Sequence, residues 1–403
     1  MATQSDPTRL EAAANWRKAL IQASWFETCA TEEVAVTEAM GRVTAESVIA
    51  VRSVPHYAGS AMDGFAVRSA DTREAVLDAP ITLSLQSGNE AVMQGTAVAV
   101  NTGDALPPGA DSVIMKEHVG WLDGNIEICS AVLPGQHIRQ IGEDIAVGAL
   151  VLPAGRVISP ADIASALAAG GDRIQVRAKP RVMVIPTGDE IVDSAEKLKP
   201  GYIRDINSPM LSALISGWGA VVMRHPIVHD VPEALREAIL SSLEVSDLVV
   251  TNAGTSNGTE DFTGPVLGIL GQVCCQGVAI RPGRPVLLAV VGGKPVIGLP
   301  GYPVSCMLTA QLFVRELLYE FQGARPPEKQ IVRARITQDI HSKPGVEEFL
   351  RVTMKQGHPY AEATVLPRGA SLISALSQAD GMLRIEADCA IVGAGEIVEI
   401  EMF

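Results

Sequence analysis

A chain of 403 residues that is 47% hydrophobic but only 4% aromatic must build its cores from Ala, Val, Ile and Leu. That profile suits buried parallel strands and excludes general disorder. The formal net charge of −14, with no basic stripe carrying interleaved aromatics, excludes a nucleic-acid binder, so any anionic ligand must be held by local donors.

At this length about two to four domains are expected. Residues 1–7 are polar and lack a charged-then-apolar signal pattern. No apolar run reaches the roughly 18 residues that a spanning helix needs. Cys29, Cys129, Cys274, Cys275, Cys306 and Cys389 show no C-x-x-C spacing, which in a long chain fits packed thiols in a reducing compartment. The expectation is a soluble, cytoplasmic protein with no membrane partner.

Residues 8–48 read as helical, with Leu10, Ala13, Trp16, Leu20 and Ala23 at helical spacing. From Ile49 to about residue 139 short apolar runs (96–101, 112–115, 126–129) alternate with Gly, Pro and Asp, the texture of a β-rich insertion. Residues 140–178 return to mixed helix and strand. Ser159-Pro160-Ala161-Asp162 is a helix start with cap hydroxyl, first-turn proline and an acid three residues on, and Gly170-Gly171 is its stop. Residues 1–48 and 140–178 are therefore expected to form one discontinuous helical/mixed domain around the insertion domain 49–139.

From Pro180 the pattern becomes βαβ: strand 181–186, helix 208–217, strand 220–223, a capping box Asp230-Val231-Pro232-Glu233 opening helix 231–242, and strands 247–252 and 295–299. Strands alternating with helices predict a three-layer α/β domain with a mostly parallel sheet over 179–325. After about Pro326 the helices stop, and 326–403 reads as a small C-terminal β domain. The expected class is thus a multidomain α/β and β protein.

Three strand-end loops of the α/β domain stand out, because ligands sit at such ends in open α/β sheets. In Pro186-Thr187-Gly188-Asp189-Glu190 two adjacent acids can hold a divalent metal or orient water, or Thr187 or Asp189 can simply cap a helix. In Ala253-Gly254-Thr255-Ser256-Asn257-Gly258-Thr259-Glu260-Asp261 the glycines allow backbone N–H groups to approach a phosphate and the hydroxyls add donors. Asp261 then suits Mg²⁺; the plain alternative is a loop capped by Asp261. In Gly298-Leu299-Pro300-Gly301-Tyr302-Pro303-Val304-Ser305 two prolines and two glycines stiffen a turn, either as a binding wall or as punctuation. Arg281 and Arg284 bracket Pro282-Gly283 and offer phosphate ligands or surface charge. The seven histidines form no H-E-x-x-H pair, and His225 and His229, four apart in a loop, are not expected to share a metal. The residues alone thus describe an α/β enzyme with an acidic, glycine-lined site for a phosphorylated anion and Mg²⁺.

Six motifs taken together carry a resemblance. They are Val51-Arg52-Ser53 through Ser60-Ala61-Met62-Asp63-Gly64-Phe65-Ala66-Val67-Arg68-Ser69-Ala70-Asp71, Asn101-Thr102-Gly103-Asp104, Ile141-Gly142-Glu143-Asp144, Thr187-Gly188-Asp189-Glu190, the 254–261 loop and the 298–305 loop. In this order, over nearly the whole chain, they resemble the molybdopterin molybdenumtransferase family, which includes the gephyrin E domain. The sequence departs from the family pattern at Tyr302, where Asn is usual, at Phe65, where Tyr is usual, and at Ala253 and Asn257 of the glycine loop. Arg281 and Arg284 stand where Lys is usual at one or both positions, and Gly369-Ala370-Ser371-Leu372 lacks the second glycine of the family turn.

The resemblance implies a four-domain subunit with one discontinuous domain, and a homodimer with its site between subunits. It implies a reaction in which molybdate, or tungstate, enters adenylated molybdopterin and AMP is released. It implies Glu190, Asp230, Asp261 and Asp63 as functional acids, with Asp261 and Asp230 on Mg²⁺. Thr102, Thr187, Gly254, Thr255, Ser256, Gly258, Pro300, Gly301, Pro303, Arg281, Arg284, Arg351 and Ser371 are implied as binding residues. A molybdopterin adenylyltransferase is the implied partner enzyme. The α/β domain also resembles those adenylyltransferases, so adenylate synthesis is one rival reading, and a non-catalytic scaffold or cofactor carrier is the other.

Overall fold

The computed structural model describes residues 6–87, 90–193, 198–252 and 262–403. Gly254, Thr255, Ser256, Gly258 and Asp261 of the glycine loop lie outside the described residues. The chain divides into two compact units: one of the residues up to Glu32, Gly41–Ala45 and Val176–Phe403, the other of Glu33–Met40 and Glu46–Gln175.

The first unit opens with α1 (Arg9–Gln22). Thr8 and Glu11 cap it reciprocally: the Glu11 N–H donates to Thr8 Oγ1 (3.2 Å) and the Thr8 N–H to Glu11 Oε2 (2.8 Å). Ala12, Trp16, Ala19 and Leu20 recur on one face and are buried. The helical reading of 8–48 is corrected beyond Gln22. Ser24 takes a left-handed backbone (φ 53), a 3-10 turn follows at Trp25–Thr28, and Thr31–Ala35 is a strand. Left-handed backbone is costly for a non-glycine residue and breaks the helical run.

The α/β core comprises β1 (Arg181–Pro186), α2 (Asn207–Gly217), β2 (Val221–Arg224), α3 (Pro232–Val245), β3 (Leu248–Asn252), α4 (Thr263–Leu270), β4 (Gln272–Gln276), β5 (Leu287–Val291), β6 (Lys294–Leu299) and α5 (Pro303–Thr309). The sheet order is β2-β1-β3-β6-β5-β4. β2, β1, β3 and β6 run parallel; β5 and β4 join antiparallel at one edge. Successive side chains face opposite ways. Val182, Val184, Leu248 and Val250 pack with α1, α2 and the helices after Pro303, whereas Met183, Ile185 and Val249 pack with α3 and α4. This is the expected three-layer arrangement, built on aliphatic residues.

The capping box expected at Asp230 is not formed. Pro232 starts α3, and the N-cap is Val231 in extended conformation with no side-chain cap hydrogen bond. Asp230 lies one residue too early to close the box.

β7 (Ile331–Ile336), β8 (Glu347–Lys355), β9 (Ala361–Val365), β10 (Gly381–Ile385) and β11 (Ile397–Met402) form the C-terminal β part. The ring β8-β9-β7-β11-β10 closes through β10 on β8. Closure leaves no ring strand with an open edge. One helical turn, Ser374–Ser377, interrupts the strands, so helix does not stop entirely after Pro326.

The second unit carries a six-stranded sheet in the order 112–115, 64–67, 96–100, 81–86, 125–128, 119–122. Phe65, Leu83, Ala97, Ile114 and Ile126 form one core and Ala66, Val98, Val100 and Val113 another. Its helix Pro160–Ala168 starts as read from the sequence: Ser159 and Asp162 form a capping box around Pro160, and Gly170 follows with φ 89.

Candidate active site at the strand ends

Register brings the carboxyl ends of three parallel strands level. Pro186 of β1 lies opposite Asn252 of β3, and Asn252 lies opposite Leu299 of β6. The Thr187–Glu190 loop, the start of the glycine loop and the Pro300–Pro303 loop therefore leave the sheet at one edge.

Thr187 is buried, and both its N–H and its Oγ1 donate to the Asn252 carbonyl (3.1 Å each). Gly188 has φ +140 and would bring a Cβ within 2.8 Å of Glu190 Oε2. Only glycine fits there, and the Glu190 carboxylate lies over that position. Asp189 Oδ1 accepts from His229 Nδ1 (2.8 Å) and from the Asp230 N–H (3.4 Å). The His229 contact, then the Asp230 amide, hold the Asp189 carboxyl below the usual range. No helix follows for Thr187 or Asp189 to cap: the loop runs into Ile191–Val192, paired parallel with Ile203–Arg204. Thr187, His229, Asp230, Val231, Leu235, Phe262 and Thr263 line one small recess.

The Pro300–Pro303 loop is tied to both neighbours. The Gly301 carbonyl accepts from Asn207 Nδ2 (2.7 Å), and the Val304 N–H donates to the Ala370 carbonyl (3.1 Å). Pro303 is the first helical residue of α5, where its missing N–H costs nothing. Arg351 is buried in β8; its Nη2 donates to the carbonyls of Pro367 (2.7 Å) and Gly369 (3.4 Å), while Nε has no partner among the described residues. Burial lowers its pKa. Ser371 is exposed just beyond this loop. The structure thus brings Thr187, Pro300, Gly301, Pro303, Arg351 and Ser371 into one bonded set of loops, with Asp189, Glu190 and Asp230 beside Thr187.

Arg281 lies where Ile280–Arg281 pairs with Glu347–Glu348, and its guanidinium is 3.8 Å from Glu348, which Arg368 also approaches (3.4 Å). Arg284 is turned elsewhere, paired with Asp6 at 2.5 Å.

In the second unit Asp63 and Thr102 are joined directly. Asp63 Oδ1 accepts the Thr102 N–H and hydroxyl (2.9 Å each), and Oδ2 meets Lys116 Nζ (3.1 Å). The Thr102 bonds and then Lys116 hold the Asp63 pKa at about 2, against 3.8 normally. A depressed folded pKa stabilises above the ordinary value and loses that contribution as pH falls through the folded one. The stability difference between wild type and Asp63→Asn should therefore be constant from neutral pH down to about pH 5 and shrink below about pH 4. Denaturant titrations across that range would measure it; a change near pH 6–7 would contradict the geometry.

Sequence reading weighed His229 only as a metal ligand and passed over Lys116, Asp205, Asn207 and Asn252. Asp205-Ile206-Asn207-Ser208-Pro209 before a helix was the available signal, since Asp205 Oδ1 accepts the Ser208 N–H (2.9 Å) at the start of α2.

These features define a multidomain α/β protein with a polar, glycine- and proline-shaped site at aligned strand ends. Residues 9–170 match the MoeA N-terminal region (domain I and II), 183–320 a probable molybdopterin binding domain, and 333–403 the MoeA C-terminal region (domain IV). The chain is 32% identical to a molybdopterin molybdenumtransferase of Haemophilus influenzae over 93% of this chain and 94% of that one. It is 31% identical to molybdopterin molybdenumtransferase 2 of Mycobacterium tuberculosis, covering 94% and 97%. A solved MoeA protein of Pyrococcus horikoshii superposes with a TM-score of 0.81 at 32% identity, covering 96% of this chain and 98% of that one. The chain belongs to the MoeA family of molybdopterin molybdenumtransferases. All six cysteines are free thiols, and among the described residues no helix is long and apolar enough to cross a membrane.

Proposed function

We propose that this protein is a molybdopterin molybdenumtransferase that inserts molybdenum, as molybdate or tungstate, into adenylated molybdopterin and releases AMP. The observation that carries the reading is the continuous set of hydrogen bonds from Thr187 through Asn252, Asn207 and Gly301, and from Val304 through the 367–370 loop to Arg351. It links the Thr187 and Pro300–Pro303 loops to a buried guanidinium, and this linkage supports a reading in which they hold a phosphoanhydride and an oxyanion.

Thr187, the loop with Gly254, Thr255, Ser256 and Gly258, and the Pro300–Pro303 wall bind the nucleotide and pterin. Arg351 and Ser371, with Arg281, hold the oxyanion by charge-assisted hydrogen bonds. Arg284 reaches an anionic group only by leaving Asp6. Glu190, exposed over Gly188, orients or accepts a proton from a reacting group. Asp63 and Thr102 act from the second unit of a partner chain in a homodimer.

Among the described residues no group of three or more His, Cys, Asp or Glu side chains is gathered for a metal. Mg²⁺ asks for less, one or two carboxylates plus substrate phosphates. The oxygen donors of Asp230, Thr187 and Thr263 around a recess without cysteine fit it. Asp230 and Asp261 would hold the ion, which when bound offsets charge on the scissile phosphate. A cytoplasmic molybdopterin adenylyltransferase supplies the adenylate.

The test is AMP release from adenylated molybdopterin, with and without molybdate, alongside reconstitution of a cofactor-free molybdenum enzyme. Molybdate-dependent AMP release and reconstitution are expected. Adenylate formation from ATP and molybdopterin would make the chain an adenylyltransferase, and no turnover would leave a carrier. Asp261→Asn should reduce AMP release at least about 100-fold; unchanged turnover would remove Asp261 from the chemistry.

A further inference from the structure

We propose that Asn207 is a positioning residue of this site: its side-chain amide clamps the ends of β3 and β6 so that the Pro300–Pro303 wall is fixed for the pterin nucleotide. The inference rests on the transferase reading above.

Asn207 is the first residue of α2 and is 6% exposed. Its Nδ2 donates to Asn252 Oδ1 (3.3 Å), where β3 ends and the glycine loop begins, and to the Gly301 carbonyl (2.7 Å), between Pro300 and Pro303. Only a primary amide brings two N–H donors on one nitrogen to two acceptors at this distance from the backbone. A proline-bounded loop has little freedom except to swing as a body, and the Gly301 carbonyl is the handle by which Asn207 holds it. From Asn252 the same chain of contacts passes to Thr187, so one amide is linked to the carboxyl ends of β1, β3 and β6.

Asn207 is also poorly suited to a purely structural role. Its Oδ1 is buried and has no hydrogen-bond partner among the described residues. An unpaired buried carbonyl is unfavourable, and a site that holds a polar ligand is one place where such a group is retained. Neighbouring Asp205, by contrast, is fully engaged with the Ser208 N–H and Arg224 (2.9 Å each), which seats the start of α2 independently of Asn207. Loss of Asn207 therefore frees the loop without unfolding the helix.

The experiment compares wild type, Asn207→Ala and Asn207→Asp in the full-length protein by steady-state kinetics with adenylated molybdopterin and molybdate, with thermal unfolding on the same samples. Asn207→Asp keeps the size but gives up the paired donors. Both variants are expected to raise KM for adenylated molybdopterin about tenfold or more, with KM for molybdate changed far less and the melting transition cooperative. Asn252→Ala should raise the same KM, and the Asn207→Ala/Asn252→Ala double variant should add little, because the two act through one clamp. A variant that folds, loses kcat in proportion to active protein and keeps the wild-type KM overturns the proposal. If Asn207→Ala does not fold, Asn207→Asp and Asn252→Ala decide it by the same criterion. Wild type without transferase activity would instead overturn the functional reading, and this proposal with it, whereas active wild type with unchanged KM in the variants sinks only the clamp.

Discussion

Gly64→Ala should destabilise the second unit by about 3 kcal/mol or more, the largest effect expected of a glycine-to-alanine change among the described residues. A Cβ at Gly64 would lie 1.9 Å from the Ile114 carbonyl oxygen and 2.8 Å from its carbon. Both are backbone atoms of the adjacent strand, where Gly64 pairs with Met115 and Phe65 with Ile114. No rotamer change relieves such an overlap; the strands must separate, at the centre of the core containing Phe65 and Ile114. At roughly 2–4 °C per kcal/mol for a unit of this size, its unfolding transition should fall by about 6–12 °C. Calorimetry of the intact protein would resolve it. Gly217→Ala is the matched control, because a Cβ there meets nothing within 4 Å. It should be neutral or stabilising by up to about 1 kcal/mol. Equal melting temperatures for Gly64→Ala and wild type would mean that the sheet yields where close packing says it cannot. The same substitution should impair catalysis. Asp63 precedes Gly64, its carbonyl accepts the Lys116 N–H (3.1 Å), and its carboxylate holds Thr102, so a shifted strand misplaces all three side chains.

What the sequence disclosed followed the range of the interaction. The Ser159–Asp162 capping box is a contact over three residues, and it formed as read. Asp230–Glu233 carried the same spacing and failed, since Pro232 fixed the helix start and pushed Asp230 outside it. A spacing rule contains the partners but not where the helix begins. The run 181–186 disclosed a buried strand because aliphatic side chains go to both faces of the sheet, as Val182 and Met183 do. Closure of the C-terminal barrel was hidden, because it depends on β10 meeting both β8 and β11, pairings that no local pattern encodes.

The candidate site divided in the same way. Thr187, Asp189 and Glu190 were visible as residues after a strand. Asn207 was not, because its importance lies in reaching Asn252 and Gly301, 45 and 94 residues away in sequence. The family motifs supplied Asp63 and Thr102, which the residues singled out for their own chemistry did not include. Their geometry gives a reason for the motif: Thr102 offers the Asp63 carboxylate two donors, and Gly64 admits the neighbouring strand.

Arg351→Ala should lower kcat/KM with molybdate by about 100-fold and the stability of the first unit by about 2 kcal/mol. The two effects share one cause. Arg351 Nη2 is the donor for the carbonyls of Pro367 and Gly369, and the Ala370 carbonyl next to them accepts the Val304 N–H. Without the guanidinium the 367–371 loop loses its anchor in β8, and with it the link to α5. The charge matters separately. Burial disfavours the charged form of Arg351, yet an arginine remains protonated at any working pH. A buried cation whose Nε has no partner among the described residues interacts more strongly with an oxyanion than an exposed one does. Arg351→Lys separates the two roles. Lysine keeps the charge but lacks the planar fork that meets two carbonyls and still presents a free N–H. It should recover part of the stability and little of the molybdate affinity, with KM for molybdate remaining at least about tenfold above wild type. Arg351→Met, similar in length and uncharged, should resemble alanine in activity but pack better. If lysine restored wild-type KM for molybdate, charge alone would suffice and the forked geometry would be irrelevant. If methionine did so, Arg351 would be only a prop for its loop, and the oxyanion would have to be held by Arg281 or Ser371 instead.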